Sequence, residues 1–172
     1  MSVFFANKGE IDLDVIRVMG VSVKECDSPI GYFGTGLKFA IATLLRTGHD
    51  VTLYTGGRQY IFHVRSEAIR DKEFRRVYMN DEALPFTTQL GRNWEVWQAY
   101  RELHSNTLDE GGTIGHKRVE ADTVFVVSGE EFQRCYRDRR NIFIEGTPIE
   151  TIGGKLEIHE GPSRHIFYRG VR

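Results

Sequence analysis

Two short apolar runs, Val51 to Thr55 and Gln59 to Val64, are joined by Gly56-Gly57 with Arg58, and this junction constrains the fold more than any other feature of the chain. Each run reads as a strand and the glycine pair as the turn between them. The remaining segments mix helix and strand without a regular βαβ rhythm. Asp12 to Met19 reads as a short helix that Gly20 stops. A second helix begins near Leu37, with Leu37, Ile41, Leu44 and Leu45 on one face and Gly48 as its stop. Trp94 to Leu108 reads as the longest helix, its core face carrying Trp94, Val96, Trp97, Tyr100, Leu103 and Leu108. Thr123 to Val127, Ile142 to Ile144, Lys155 to Ile158 and His165 to Tyr168 read as further strands, while Ser66 to Phe86 is ambiguous. The expected fold is α+β: a two-layer sandwich of a mixed, mostly antiparallel sheet with helices on one face.

A chain of 172 residues suits one domain and can bury roughly 70% of its unfolded surface without staples. The formal net charge of −1 exerts no overall pull on nucleic acid or on an anionic membrane. Local basic clusters at Arg65 to Arg76 and Arg134 to Arg140 have acidic neighbours and read as solvated faces. The two cysteines, Cys26 and Cys135, are far apart and belong to no Cys/His cluster, so neither a zinc site nor a disulfide scaffold is expected. The first residues lack a basic, then apolar, leader, and no run approaches the ~18 apolar residues that span a bilayer. A cytoplasmic location is the expectation.

Two constellations carry chemistry. Gly31-Tyr-Phe-Gly34-Thr35-Gly36-Leu37-Lys38 runs directly into a helix. Glycines let backbone approach a ligand, and the first amides of a helix lack internal partners and favour phosphate. Thr35 and Lys38 can add a hydroxyl and a charge. The spacing matches neither a Walker loop nor a dinucleotide fingerprint, so a tight turn that only packs the helix is an equal alternative when the motif stands alone. In the second, Glu102, Asn106 and Asp109 fall within about 60° of one another on a helix, beside its core face. Carboxylate and carboxamide oxygens suit Mg²⁺, and a carboxylate one turn away can orient or deprotonate water. Alone, this strip reads more readily as a solvated flank. His104 reads as a surface or boundary residue, and Trp94 and Trp97 as core anchors.

Together, the two constellations resemble the motifs of the GHKL superfamily (gyrase, heat-shock chaperone, histidine kinase, MutL). Glu102-x-x-x-Asn106-x-x-Asp109 is similar to its asparagine box, and Gly31-x-x-Gly34-x-Gly36-Leu37-Lys38 to its second glycine box. The segment from Met19 to Lys24 and on to Pro29 looks like the stretch between the two glycine boxes of MutL- and MORC-type members, and Asn7-Lys-Gly9-Glu-Ile11 sits where the first box would be. The resemblance covers under half the chain. It implies a Bergerat-type ATP-binding fold, with ATP and Mg²⁺ as ligands. Glu102 would be the general base and Asn106 the metal ligand. Asn7, Gly9, Lys24, Gly31, Gly34, Thr35, Gly36, Leu37, Lys38 and Asp109 would contact nucleotide.

Three departures shape the expectation. The asparagine box follows the glycine boxes, as in a circular permutation. The first box carries Asn7 in place of the family's adenine-binding Asp, and Ile11 in place of its second glycine. No transducer domain with its phosphate-binding lysine follows, which implies slow hydrolysis at best and reads either as one ATP-binding domain over 1–172 or as a piece of a longer protein. The expected function is an ATP-driven switch with slow Mg²⁺-dependent hydrolysis. The alternative is a nucleotide-binding or sequestering module without turnover that acts through an unidentified protein partner. A histidine-kinase role is disfavoured by the lack of a visible phosphoacceptor helix.

Overall fold

The computed structural model describes residues 1–20, 35–162, 164–168 and 170–172. In chain order the elements are β1 (Ser2–Asn7), α1 (Asp14–Arg17), α2 (Gly36–Arg46), β2 (Asp50–Thr55), β3 (Arg58–Ile69), β4 (Lys72–Met79), β5 (Glu82–Thr87), α3 (Val96–Asp109), β6 (Thr113–Gly115), β7 (Thr123–Ser128), α4 (Glu130–Arg137), β8 (Glu150–Ile152) and β9 (Leu156–Ile158). A single 3₁₀ turn, Arg139–Asn141, follows α4.

Seven strands form one sheet in the order β5-β4-β3-β2-β7-β1-β6. The fold is α+β with two layers, as expected. The sheet is not mixed, however: every pairing among its described strands is antiparallel. The reason lies in the connections. β2 to β5 are a meander with two-residue turns at Gly56-Gly57, Arg70-Asp71 and Asn80-Asp81, and the first residue of each turn has positive φ. That backbone twist matches adjacent antiparallel strands. Asn80 adds local bonds, accepting from the Ile61 amide at 2.8 Å and donating to the Gln59 carbonyl at 3.1 Å.

The stretch from Ser66 to Phe86 thus becomes the outer half of β3, then β4 and β5. Its sequence period is obscured because the distal ends of β3 and β4 project past the core, with both faces largely exposed. The segments expected as strands at Ile142 to Ile144 and His165 to Tyr168 form only isolated bridges, Phe143 with Val171 and Tyr168 with Val171. β1, β6, β8 and α4 were not read from the sequence at all.

One face of the sheet carries the core. Val3, Val127 and Val51 lie in one row across β1, β7 and β2, and Phe5, Phe125 and Leu53 in the next. All six are buried. α2 lays Ala40, Ile41, Leu44 and Leu45 into this core, and α3 lays in Val96, Ala99, Tyr100 and Leu103. Such a stripe at helical spacing is what buries one side of a helix. Tyr100 sits at the middle of an aromatic cluster with Phe5, Phe132 and Phe143.

Two expectations about α3 are corrected. His104 is buried, its Nδ1 2.8 Å from the Tyr100 hydroxyl and its ring stacked on Phe143 at 3.9 Å. Leu108 is half exposed instead of on the core face. The buried arc is rotated toward His104 because Phe143, from the chain's last third, fills that side. Trp94 and Trp97 do pack against the core, each partly exposed. α3 starts with a capping box in which the Glu95 carboxylate accepts from the Gln98 backbone amide and the Gln98 side-chain oxygen accepts from the Glu95 amide at 2.8 Å.

Arg46 pins the segment before α3. Its guanidinium donates to the carbonyls of Thr88, Leu90, Gly91 and Trp94. This fixes α3 against α2, the pairing on which the site depends. Among the described residues no helix is long and apolar enough to cross a membrane.

Candidate functional site

The site is built along α3. Near its middle, Glu102 turns its carboxylate onto Gly36, the first residue of α2. A Cβ on Gly36 would lie 2.2 Å from Glu102 Oε1 and 2.6 Å from Oε2. No side chain longer than hydrogen allows that approach. One turn along, Asn106 donates its amide nitrogen to Glu102 Oε1 at 3.1 Å. The last glycine of the glycine box and two members of the asparagine box are therefore neighbours, although Gly36 and Glu102 are far apart in sequence.

α2 begins without a side-chain cap, since Thr35 occupies the N-cap position but makes no capping bond through its hydroxyl. Its carbonyl accepts from the Phe39 amide at 3.0 Å. Uncapped first amides and the positive end of the helix dipole make this end electrostatically favourable for an anion. Leu37 packs partly against the core. Lys38 is fully buried, with its ammonium donating to the Val15 carbonyl of α1, and burial holds its pKa below the ordinary lysine value. Its charge is thus directed at the α1 backbone. Lys24, Gly31 and Gly34 lie outside the described residues.

Glu102, Asn106, Asp109 and Glu110 form a polar rail along α3, at whose far end Asp109 closes the helix and Glu110 caps it. No basic residue occupies the last turn. Two carboxylates at the negative end of a helix dipole are unfavourable by about 0.3–1 kcal/mol each. Asn7, at the end of β1, offsets part of this by donating its amide nitrogen to Glu110 Oε2. The Asn7 carbonyl oxygen is buried without a hydrogen-bond partner. It lies against Gly112, where a Cβ would be 2.1 Å away. Gly9 follows with φ of +95°, its amide donating to Asp122 at 2.8 Å and its carbonyl accepting from the Thr123 hydroxyl at 2.8 Å.

Sequence reasoning missed Glu110, Asp122, Thr123 and Gly112. Thr123 shares a row with Asn7 and Thr55 on the helix-facing side of the sheet, and its hydroxyl also accepts from the Ile11 amide at 2.9 Å. Only strand register creates that row, so no local signal marks it. Glu110 adjoins Asp109 and was legible as a neighbour, but not as the partner of Asn7.

From Glu102 to Glu110 the rail is about 12 Å long at 1.5 Å per residue. It links the start of α2 to the end of β1. Part of each basic cluster is paired with acids: Arg139 and Arg140 both meet Glu145 at 3.0 Å, Arg65 meets Asp81 and Arg76 meets Glu67. Among the described residues no group of three or more His, Cys, Asp or Glu is placed to hold a metal ion.

Fold and site together define a class: an α+β two-layer protein with a seven-stranded antiparallel sheet and a polar rail on one of its covering helices. Comparison of the chain with protein-family models, with curated proteins and with solved structures returns no match.

Proposed function

We propose that this protein binds ATP with Mg²⁺ and hydrolyses it slowly, as an ATP-driven switch of the GHKL kind with permuted motifs. The observation that carries the reading is the contact of Gly36 with Glu102, with Asn106 bonded to the same carboxylate. A phosphate-binding helix start and a carboxylate able to orient water make chemical sense only side by side. The order of α2 before α3, both on one face of the sheet, supports the permuted Bergerat arrangement.

The donor chemistry fits magnesium. Asn106 gives its amide nitrogen to Glu102, so its oxygen is the atom suited to a cation, and Asp109 is a second hard donor one turn on. Mg²⁺ keeps several waters and takes only one or two protein ligands beside substrate phosphates, so a cluster of acidic residues is not required. When bound, the ion neutralises phosphate charge. Glu102 would accept a proton from the attacking water, and the uncapped amides of α2 would hold the terminal phosphates. This reading has the protein act in the cytoplasm, where both ligands are available, with a protein partner reading the switch.

A second reading, binding without turnover, draws on the same contact. Glu102 beside the first turn of α2 also satisfies a helix end electrostatically, and a carboxylate held for that purpose need not act as a base. Calorimetry with ATP, ADP and GTP, each with and without Mg²⁺, tests both. Saturable ATP binding that tightens with Mg²⁺ is expected. Absence of binding by any of the three nucleotides defeats both readings.

A further inference from the structure

The β8–β9 hairpin forms its own two-stranded sheet, separate from the seven-stranded one. Its register places Glu150 opposite Ile158 and Ile152 opposite Leu156, so Glu150, Ile152, Leu156 and Ile158 share one face. The other face carries Thr151 and Glu157. The three apolar members are 52%, 61% and 41% exposed respectively for Ile152, Leu156 and Ile158. Ile149, Ile166 and Tyr168 nearby are more exposed still. Six of the 13 large hydrophobic side chains exposed among the described residues thus fall between positions 149 and 168. An isolated two-stranded hairpin is marginal in water, and an apolar patch of this kind marks an interaction surface.

The hairpin forms one wall of a groove of about 870 Å³, in which Phe143, Leu156, Ile158 and Tyr168 alternate with charged side chains such as Arg140 and Glu145. Leu156, Ile158 and Tyr168 thus belong both to the exposed apolar patch and to the groove wall, so one continuous surface is offered to a partner, and a two-fold interface requires such a patch to meet its own copy. Charge points the same way. The hairpin tip carries Lys155 and the opposite end of its apolar face carries Glu150. A second hairpin laid antiparallel brings each Lys155 to the other copy's Glu150.

We propose that this hairpin is a dimerisation surface and that its occupant is a second copy of the same hairpin, related by a two-fold axis. The inference is independent of nucleotide binding. Sedimentation velocity on the full chain from low to high concentration, up to on the order of 100 µM, reads it directly. A monomer–dimer equilibrium is expected. Leu156→Glu should weaken it by roughly tenfold or more, while circular dichroism stays unchanged because the side chain is exposed. Lys155→Glu should weaken it too, and Lys155→Glu with Glu150→Lys should restore it. A monomer at every concentration overturns the proposal. So does a dimer indifferent to Leu156→Glu, or one that the double charge exchange fails to restore.

Discussion

Gly36 and Glu102 touch so closely that a single methyl group at position 36 would collide with the Glu102 carboxylate. The colliding atoms are the far end of a flexible side chain, so the helix need not move; the carboxylate can. Gly36→Ala also replaces a poor helix former by a good one, worth up to about 1 kcal/mol in a helix interior. Folding stability should therefore change by less than about 1 kcal/mol, while ATP turnover falls at least tenfold. Urea unfolding and single-turnover hydrolysis measure the two. In a Glu102→Ala background the second substitution should add little, since the colliding group is gone. Full activity in Gly36→Ala would dissociate this contact from function.

Glu102→Gln separates the ATPase from the passive binder. It keeps shape and hydrogen-bonding capacity but removes the base. A general base typically contributes 10²–10⁴-fold in rate and little to ground-state affinity. Hydrolysis should drop to background with ATP binding unchanged or slightly tighter. If the unmutated protein binds ATP but turns it over no faster than the variant, the binding module is the better description.

Asn106→Ala addresses the metal. Loss of its side-chain oxygen should lower ATP affinity chiefly when Mg²⁺ is present. Titrations with the ion and with chelator give the comparison. Equal weakening under both conditions would assign Asn106 to holding Glu102 in place.

His104 provides a pH test of the core. Burial among Tyr100 and Phe143 pushes its pKa down to about 4 from an ordinary 6.5. The unfolded chain therefore takes up a proton below pH 6.5 that the native state refuses until about pH 4. Stability tied to His104 is complete above 6.5 and is lost as pH falls through that window. Between pH 7 and 4.5 the unmutated protein should lose roughly 2–3 kcal/mol more than His104→Gln, as 1.36 kcal/mol per pH unit implies. Denaturant unfolding at both pH values checks this. Parallel losses in the two proteins would mean that His104 is not held neutral.

Much of the helical layer was legible locally. The period of Leu37 to Leu45 and the run from Trp94 onward located α2 and α3 within two residues, because a helix writes its buried face into its own spacing. Where the buried face depended on a distant partner, local reading failed. His104 is inside because Phe143 stacks on it, and Leu108 is outside because nothing covers it. The strand content of 66–76 was hidden for the converse reason: the outer ends of β3 and β4 bury so little that no alternation marks them, whereas Val77, Met79, Leu84 and Phe86 beyond them are buried at alternate positions.

By itself, the sequence determined the α+β class, the turn at Gly56-Gly57, and the residue types at each half of the site, since these follow from short-range sterics and side-chain chemistry. Tertiary structure alone decided the strand order, with β7 between β2 and β1, and the row of Asn7, Thr123 and Thr55 that this order creates. It also decided which residues meet: Glu102 with Gly36, and Asn7 with Glu110. Those pairings join segments remote in the chain. Their loop-closure cost is met by the whole buried core acting together, so no local pattern can encode them.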